Sequence, residues 1–289
     1  MALVPCLSMD HTRFCEYHSH SSSRAILSAR WTRPRKSVAL QDKQRMMGDL
    51  AASLTNISDS PVFRFGGGGA ALRLRYFDCR GLAETTRDLL AIHNVGYADD
   101  RFPFTFGTPG DFTTIKRPEF DAAQRAGAFA AGLGKVPLLE VGGEAVPQSK
   151  AIERYVARTL GMVGANELEA AQIDAVTEHV RDIKQAYQPH RACKAEDPAA
   201  AQGAWFSETL PEYSRKLEAA LPACVRQIDP ACPNHAHVAL YTLYNGFFDN
   251  AQGAQNAIVG CPALQHIVAV VGEHPGVQAW ETTRPKTDF

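Results

Sequence analysis

From residue 72 the chain alternates apolar and basic positions, Leu72-Arg-Leu-Arg-Tyr76, the two-residue period of a strand with one covered face. Residues 82–95 follow with Leu89, Leu90 and Ile92 on one side, which predicts a helix packed against that strand. A second extended segment spans 97–104. The stretch from there to Gly134 is polar and irregular, and 121–129 reads as a short helix within it. Residues 136–141, the pair Gly142-Gly143 and residues 144–146 predict a hairpin, because two glycines supply the positive φ that a two-residue turn demands. Ser149 then opens a helix carrying Ile152, Tyr155, Val156 and Leu160 at helical spacing. The order is βαβ followed by ββα.

Beyond a connector at 161–165 the pattern changes. Asn166 with Glu169 three residues later forms a capping-box pair, and Ile173, Val176, Val180, Ile183 and Tyr187 step by three and four along one face of a long helix. Segments 210–221, 238–248, 264–271 and 277–280 are also helical in pattern and are separated by Pro and Gly breakers. The chain thus divides into an N-terminal extension (1–69), an α/β domain (70–160) and an all-helical C-terminal domain (166–289). The four-glycine run 66–69 marks the joint where folded sequence begins.

Composition changes this picture mainly at the N-terminus. Residues 1–45 hold eight Lys or Arg against three acids, beside a serine run, as an organellar transit peptide does; a disordered extension or an upstream start codon reads equally from that composition. The expected location is the cytoplasm, with a plastid or mitochondrion as the alternative. A net charge of -1 supplies no long-range field for a polyanion or membrane surface, so the expected partners are small molecules and not nucleic acid. No run approaches the roughly 18 to 20 apolar residues of a membrane helix. Seven cysteines form no CxxC pair and no zinc-type spacing, so a reducing compartment and no metal are expected.

Four motifs fall in order along these elements. They are Arg75-Tyr-Phe-Asp-Cys-Arg-Gly-Leu-Ala-Glu84, Gly134-Lys-Val-Pro-Leu-Leu-Glu140, Gln148-Ser-Lys-Ala-Ile-Glu-Arg-Tyr155, and Glu169-Ala-Ala-Gln-Ile-Asp174 with Arg181-Asp-Ile-Lys184. In this arrangement the chain resembles the glutathione transferases, over roughly residues 72 to 289, and the tyrosine in the first motif places it nearest the sigma and mu classes. The resemblance implies a thioredoxin-like α/β domain that binds glutathione as co-substrate, an all-α domain that forms the pocket for an apolar electrophile, and a homodimer.

Residue by residue, the resemblance makes Tyr76 catalytic. A neutral hydroxyl beside sulfur stabilises only the thiolate, the nucleophilic form of a thiol whose pKa is otherwise about 8.5. Lys135 corresponds to a contact of the glycyl carboxylate. Val136-Pro137 corresponds to a cis-proline turn whose backbone pairs with the cysteinyl part of glutathione. Gln148 and Ser149, at a helix start, correspond to the site of the γ-glutamyl carboxylate, where N–H groups and the helix dipole favour an anion. Asp182 corresponds to a residue that reaches the glutathione amine across a two-fold interface. Phe77 and Cys79 are expected on the electrophile wall, and Phe120 is a candidate contact within 97–133.

Other readings remain at this level. A glutathione-dependent isomerase or peroxidase would use the same activated thiol, a non-catalytic glutathione-binding or structural relative would keep the same site, and Cys79 near a helix start is an alternative nucleophile. One departure bears on stability. Asn234-His-Ala-His237 stands where relatives carry Ser or Thr followed by Asp, and a histidine there is expected to fail as the N3 partner of a capping box.

Overall fold

The computed structural model describes residues 71–108, 114–191 and 202–287. The expectations for the extension through residue 69 lie outside them. The described residues form an α/β portion followed by a helical portion, and the two share one hydrophobic core.

Strand β1 (Leu72–Phe77) lies inside a four-stranded sheet of order β2-β1-β5-β6. It runs parallel to β2 (Ala98–Phe102) and antiparallel to β5 (Leu138–Val141), which continues into β6 (Glu144–Pro147). Leu72, Leu74 and Tyr76 are buried while Arg73 and Arg75 take the other face, as the alternation requires. Gly142 and Gly143 both have positive φ, 58° and 95°, and close the predicted hairpin.

The parallel β1–β2 pair needs a crossover, supplied by helix α1 (Glu84–Ile92). This helix is shorter than the predicted 82–95. Gly81 (φ 45°) breaks the backbone before it, and Asn94 (φ 49°) turns the chain out of it. Between 97 and 134 a small two-stranded sheet was not foreseen: β3 (Thr105–Phe106) pairs with β4 (Ile115–Lys116). Helix α2 (Pro118–Arg125) starts before the predicted 121, with Pro118 in its first turn where no N–H is needed, and gives way to Gly127 at positive φ. Its Phe120 stacks on Phe129 at 5.0 Å and forms, with Leu138, a second small core.

Helix α3 (Ser149–Thr159) and the long helix α4 (Glu167–Arg191) follow the pattern closely. All five stripe residues of α4, from Ile173 to Tyr187, are buried. Asn166 Oδ1 accepts from the Glu169 N–H at 3.0 Å, and Glu169 reaches back to the N–H of Ala165 at 2.8 Å. After a wide turn at Trp205–Thr209 come α5 (Leu210–Ala220), α6 (Ala223–Arg226), α7 (His235–Thr242) with a second wide turn Leu243–Phe247, α8 (Ala251–Asn256), α9 (Pro262–Glu273) and α10 (Pro275–Thr283).

Every residue of α7 is buried, so it shows no polar face by which its start could be read. The expectation that His237 leaves this start without its partner is overturned. Asn234 Oδ1 accepts from the His237 N–H at 3.2 Å, and His237 Nδ1 accepts from the Asn234 N–H at 3.0 Å. Nε2 donates to the Val225 carbonyl at 2.8 Å. Burial pushes the imidazole pKa down to about 4, so the ring is neutral and one nitrogen can accept as a carboxylate would.

A buried ion network fixes the turn after β1. Arg87 donates to the Cys79 carbonyl at 2.7 Å and pairs with Glu84 at 3.1 Å. Glu84 also accepts from Trp280 Nε1 at 2.9 Å and from Arg284, which ties α1 to the end of the chain. Burial opposes its charge, and Arg87 and Arg284 nonetheless hold its carboxyl below the usual range.

Candidate functional site

A cleft of about 700 Å³ opens between the end of β1, the start of α3 and the exposed side of α4. Tyr76, Phe77, Cys79 and Leu82 form one side of it, Gln148 and Ser149 a second, and Lys184, Gln185 and Gln188 a third.

Tyr76 is positioned by backbone. It is the last inward-facing residue of β1 and is 7% exposed. The chain then folds back over its ring through Gly81, where an added Cβ would stand 2.7 Å from the Tyr76 hydroxyl. The Leu82 N–H donates to Tyr76 Oη at 3.1 Å. That bond uses a lone pair of the phenol oxygen and polarises the O–H.

Cys79 lines the same cleft but is set against nucleophilic chemistry. Burial, only partly opposed by Arg87 and Arg101, pushes its thiol up to about 11, so it stays protonated and acts as wall. Phe77 packs edge-on against Tyr76 at 5.6 Å and continues that wall.

At the second side, Gln148 takes φ 72°, an uncommon value for a residue with a side chain, and turns the chain directly into α3. It makes no side-chain cap, so the first N–H groups of α3 are left to whatever enters beside Ser149. The Val136-Pro137 bond is cis, as the motif implied, and leads into β5. Lys135, Val136 and Pro137 do not themselves reach the cleft wall, and neither does Asp182, which is 59% exposed on α4 and pairs with Arg181 at 3.3 Å. Phe120 is core and also lies off the wall.

The third side was missed in the sequence. Arg181, Lys184, Gln185 and Gln188 come from the α4 face beside the apolar stripe, Phe247 from the second wide turn, and Phe104, Ile115 and Arg117 from the β3–β4 insertion. A helical projection that tracks polar residues bordering the stripe would have shown the α4 set. The insertion carries no such signal.

Glu153, buried in the second turn of α3, also faces the cleft. It accepts from Lys150 at 2.7 Å and contacts His235 Nε2 at 3.1 Å. Burial works against its charge, but Lys150 and the His235 hydrogen bond bring its pKa to about 2. Among the described residues no group of three or more His, Cys, Asp or Glu side chains is placed to hold a metal, and no helix is long and apolar enough to cross a membrane.

Comparison with known proteins agrees with this layout. The family model "Glutathione S-transferase, N-terminal domain" matches residues 72–158. The chain is 30% identical over 213 residues to glutathione S-transferase P of Caenorhabditis elegans, covering 74% of this chain and 93% of that protein. It is 28% identical over 223 residues to a glutathione S-transferase of Anopheles gambiae, covering 75% and 98%. Among solved structures, the pi-class glutathione S-transferase of Onchocerca volvulus superposes with a TM-score of 0.60 at 23% identity, over 74% of this chain and 93% of that one. The helical portion beyond the matched domain is therefore shared as well, and the chain belongs to the glutathione S-transferase family.

Proposed function

We propose that this chain conjugates glutathione to small electrophiles and that the Tyr76 hydroxyl stabilises the attacking thiolate. Family membership supports the transferase activity and glutathione as the thiol substrate. The observation that carries the role of Tyr76 is its hydroxyl in the cleft wall with the Leu82 N–H donated to its oxygen at 3.1 Å.

In this reading the γ-glutamyl carboxylate docks on Ser149 and the first N–H groups of α3. The cysteinyl backbone pairs with the main chain of the Val136-Pro137 turn, Lys135 approaches the glycyl carboxylate, and sulfur comes to the Tyr76 hydroxyl. Lowering the thiol pKa by about two units is worth roughly 2.7 kcal/mol and raises the thiolate at pH 7 from a few per cent to about three quarters. The thiolate then forms a C–S bond with the electrophilic carbon. Halide leaves in a substitution, whereas in an addition the displaced π electrons form an enolate that takes a proton. Phe77 and Cys79 support an apolar part of the electrophile.

Conjugation of a chlorinated nitrobenzene by the wild-type protein and by Tyr76→Phe tests this. Wild-type turnover with about a hundredfold loss in the variant, and glutathione binding intact in both, is expected. A wild-type protein that binds glutathione but is inert would replace the enzyme reading with a binding one. The same proposal includes a homodimer in which Asp182 reaches the glutathione amine of the other subunit; sedimentation velocity should then give twice the monomer mass. Fluorescent fusions with and without residues 1–69 test whether that extension directs the enzyme out of the cytoplasm.

A further inference from the structure

We infer that Asp88 carries a proton at neutral pH and that this neutral carboxyl makes the contact of α1 with α7 a pH-sensitive joint, whose hold weakens as pH rises. Helix α1 starts two residues after Leu82, whose N–H is donated to Tyr76 Oη, so α1 connects the joint to the cleft wall.

Asp88 lies in the middle of α1 and is buried, as is Thr242 at the end of α7. Its Oδ1 atom has no hydrogen-bond partner among the described residues. Its Oδ2 atom stands 3.4 Å from Thr242 Oγ1, a long separation for two oxygens. The Thr242 proton decides what that contact is. A hydroxyl has a single proton, and the Val238 carbonyl, which can only accept, lies 2.7 Å from the same Oγ1. The proton therefore goes to Val238, and the Thr242 oxygen turns a lone pair toward Asp88. An ionised Asp88 would meet that lone pair with its own and would have no donor at either oxygen. A protonated Asp88 instead donates to Thr242 and leaves only an uncharged carbonyl oxygen without a partner, at much lower cost.

The charged groups around the joint do not favour the anion. On α1 itself, Glu84 stands one turn before Asp88 and is bound by Arg87 and Arg284. From the end of α10, Glu281 pairs with Arg284 at 3.4 Å and accepts from the α7 residue Tyr241 at 2.7 Å. Arg80, in the turn before α1, is drawn to Glu84 and Glu281. Helix α3 also packs on α1, and its Glu153 is paired with Lys150 and contacts His235. His274, at the start of α10, acts on His93 just past the far end of α1. Burial is the largest influence on the Asp88 carboxyl. Repulsion by Glu84 then exceeds the attraction of Arg284, and Glu281 adds to the repulsion, so its pKa is raised well above the usual carboxylate range.

Denaturant unfolding of the full chain between about pH 5 and pH 9 tests this, read as the ratio of the unfolding constants of wild type and Asp88→Asn. The unfolded carboxyl ionises near pH 3.9 while the folded one keeps its proton, so unfolding releases a proton at every pH between the two values. The wild-type unfolding constant should therefore rise about tenfold per pH unit relative to the variant, until the folded group itself ionises, and stay level beyond. Groups that the two proteins share, His237 among them, cancel in the ratio. A ratio that is flat or falls across the range overturns the inference, because the folded carboxyl would then be ionised already. If Asp88→Asn does not fold, Asp88→Leu, apolar and of similar size, is expected to give the same slope. The wild type alone supplies a second reading, since its infrared spectrum at pH 7 should contain the carbonyl stretch of a protonated carboxyl. Glu84 and Glu153, the other buried carboxyls among the described residues, are held ionised by Arg87 and Arg284 and by Lys150, and add nothing to that band. Absence of the band also overturns the inference.

Discussion

The two faces of the cleft are built differently. On the sheet side, Tyr76 is set by strand register, by the positive φ of Gly81 and by the Leu82 N–H, so its geometry is a property of main chain. On the helical side, Lys184, Gln185 and Gln188 are side chains on one face of a helix whose backbone would be the same with other residues there. The difference suggests a division of labour. Backbone-fixed groups can hold a proton donor within the few tenths of an ångström that thiolate stabilisation needs, and side chains on a rigid helix can be exchanged to suit another electrophile.

Substitutions can separate these contributions. The largest effect is expected from Glu84→Gln, which breaks the buried network behind the β1 turn and leaves Arg87 and Arg284 undercompensated. A loss of about 3–5 kcal/mol in a denaturant titration is expected, as for other broken buried pairs. A change under about 1 kcal/mol would mean that the turn is not held from behind.

His237→Ala should cost about 2–3 kcal/mol, because it strands the Asn234 N–H and the Val225 carbonyl. The same ring makes stability depend on pH. Its folded pKa of about 4 lies below the ordinary value of 6.5, so the unfolded chain binds more protons between them. The ring's contribution is whole above about pH 6.5 and is lost as pH falls toward 4, by up to about 3 kcal/mol. Unfolding titrations across that range should be shallower in pH for His237→Ala than for wild type.

Gly81→Ala should act on rate more than on stability, since its Cβ would push the Tyr76 hydroxyl from its place. About a tenfold or greater drop in kcat is expected, with little change in electrophile preference. If preference shifts as much as rate, the two faces are not separable. The smallest effect on monomer stability belongs to Asp182→Asn, about 1 kcal/mol or less, because the Arg181 pair is exposed.

Much of the sheet side was legible because its constraints are local. The alternation from Leu72 to Tyr76, the Gly142-Gly143 turn and the Ser149 helix start each follow from backbone chemistry that residue types announce. The helical side was only half legible. The stripe from Ile173 to Tyr187 disclosed which face of α4 is buried, but the neighbours of Lys184 in the cleft wall, Phe247 and Glu153, come near it only after folding. The His237 cap was misread because its partner Val225 and its neutral state come from tertiary burial. The β3–β4 pair escaped notice because strands of two residues are too short to show a period.

The central claim is that Tyr76 holds the glutathione thiolate, and the ultraviolet absorbance of the thiolate in the bound complex, titrated against pH, tests it most directly. Wild type should show a midpoint near about 6.5, some two units below the free thiol, and Tyr76→Phe should return it to about 8.5. Equal midpoints in the two proteins, with glutathione bound in both, would contradict the account and move thiolate stabilisation to another group in the cleft.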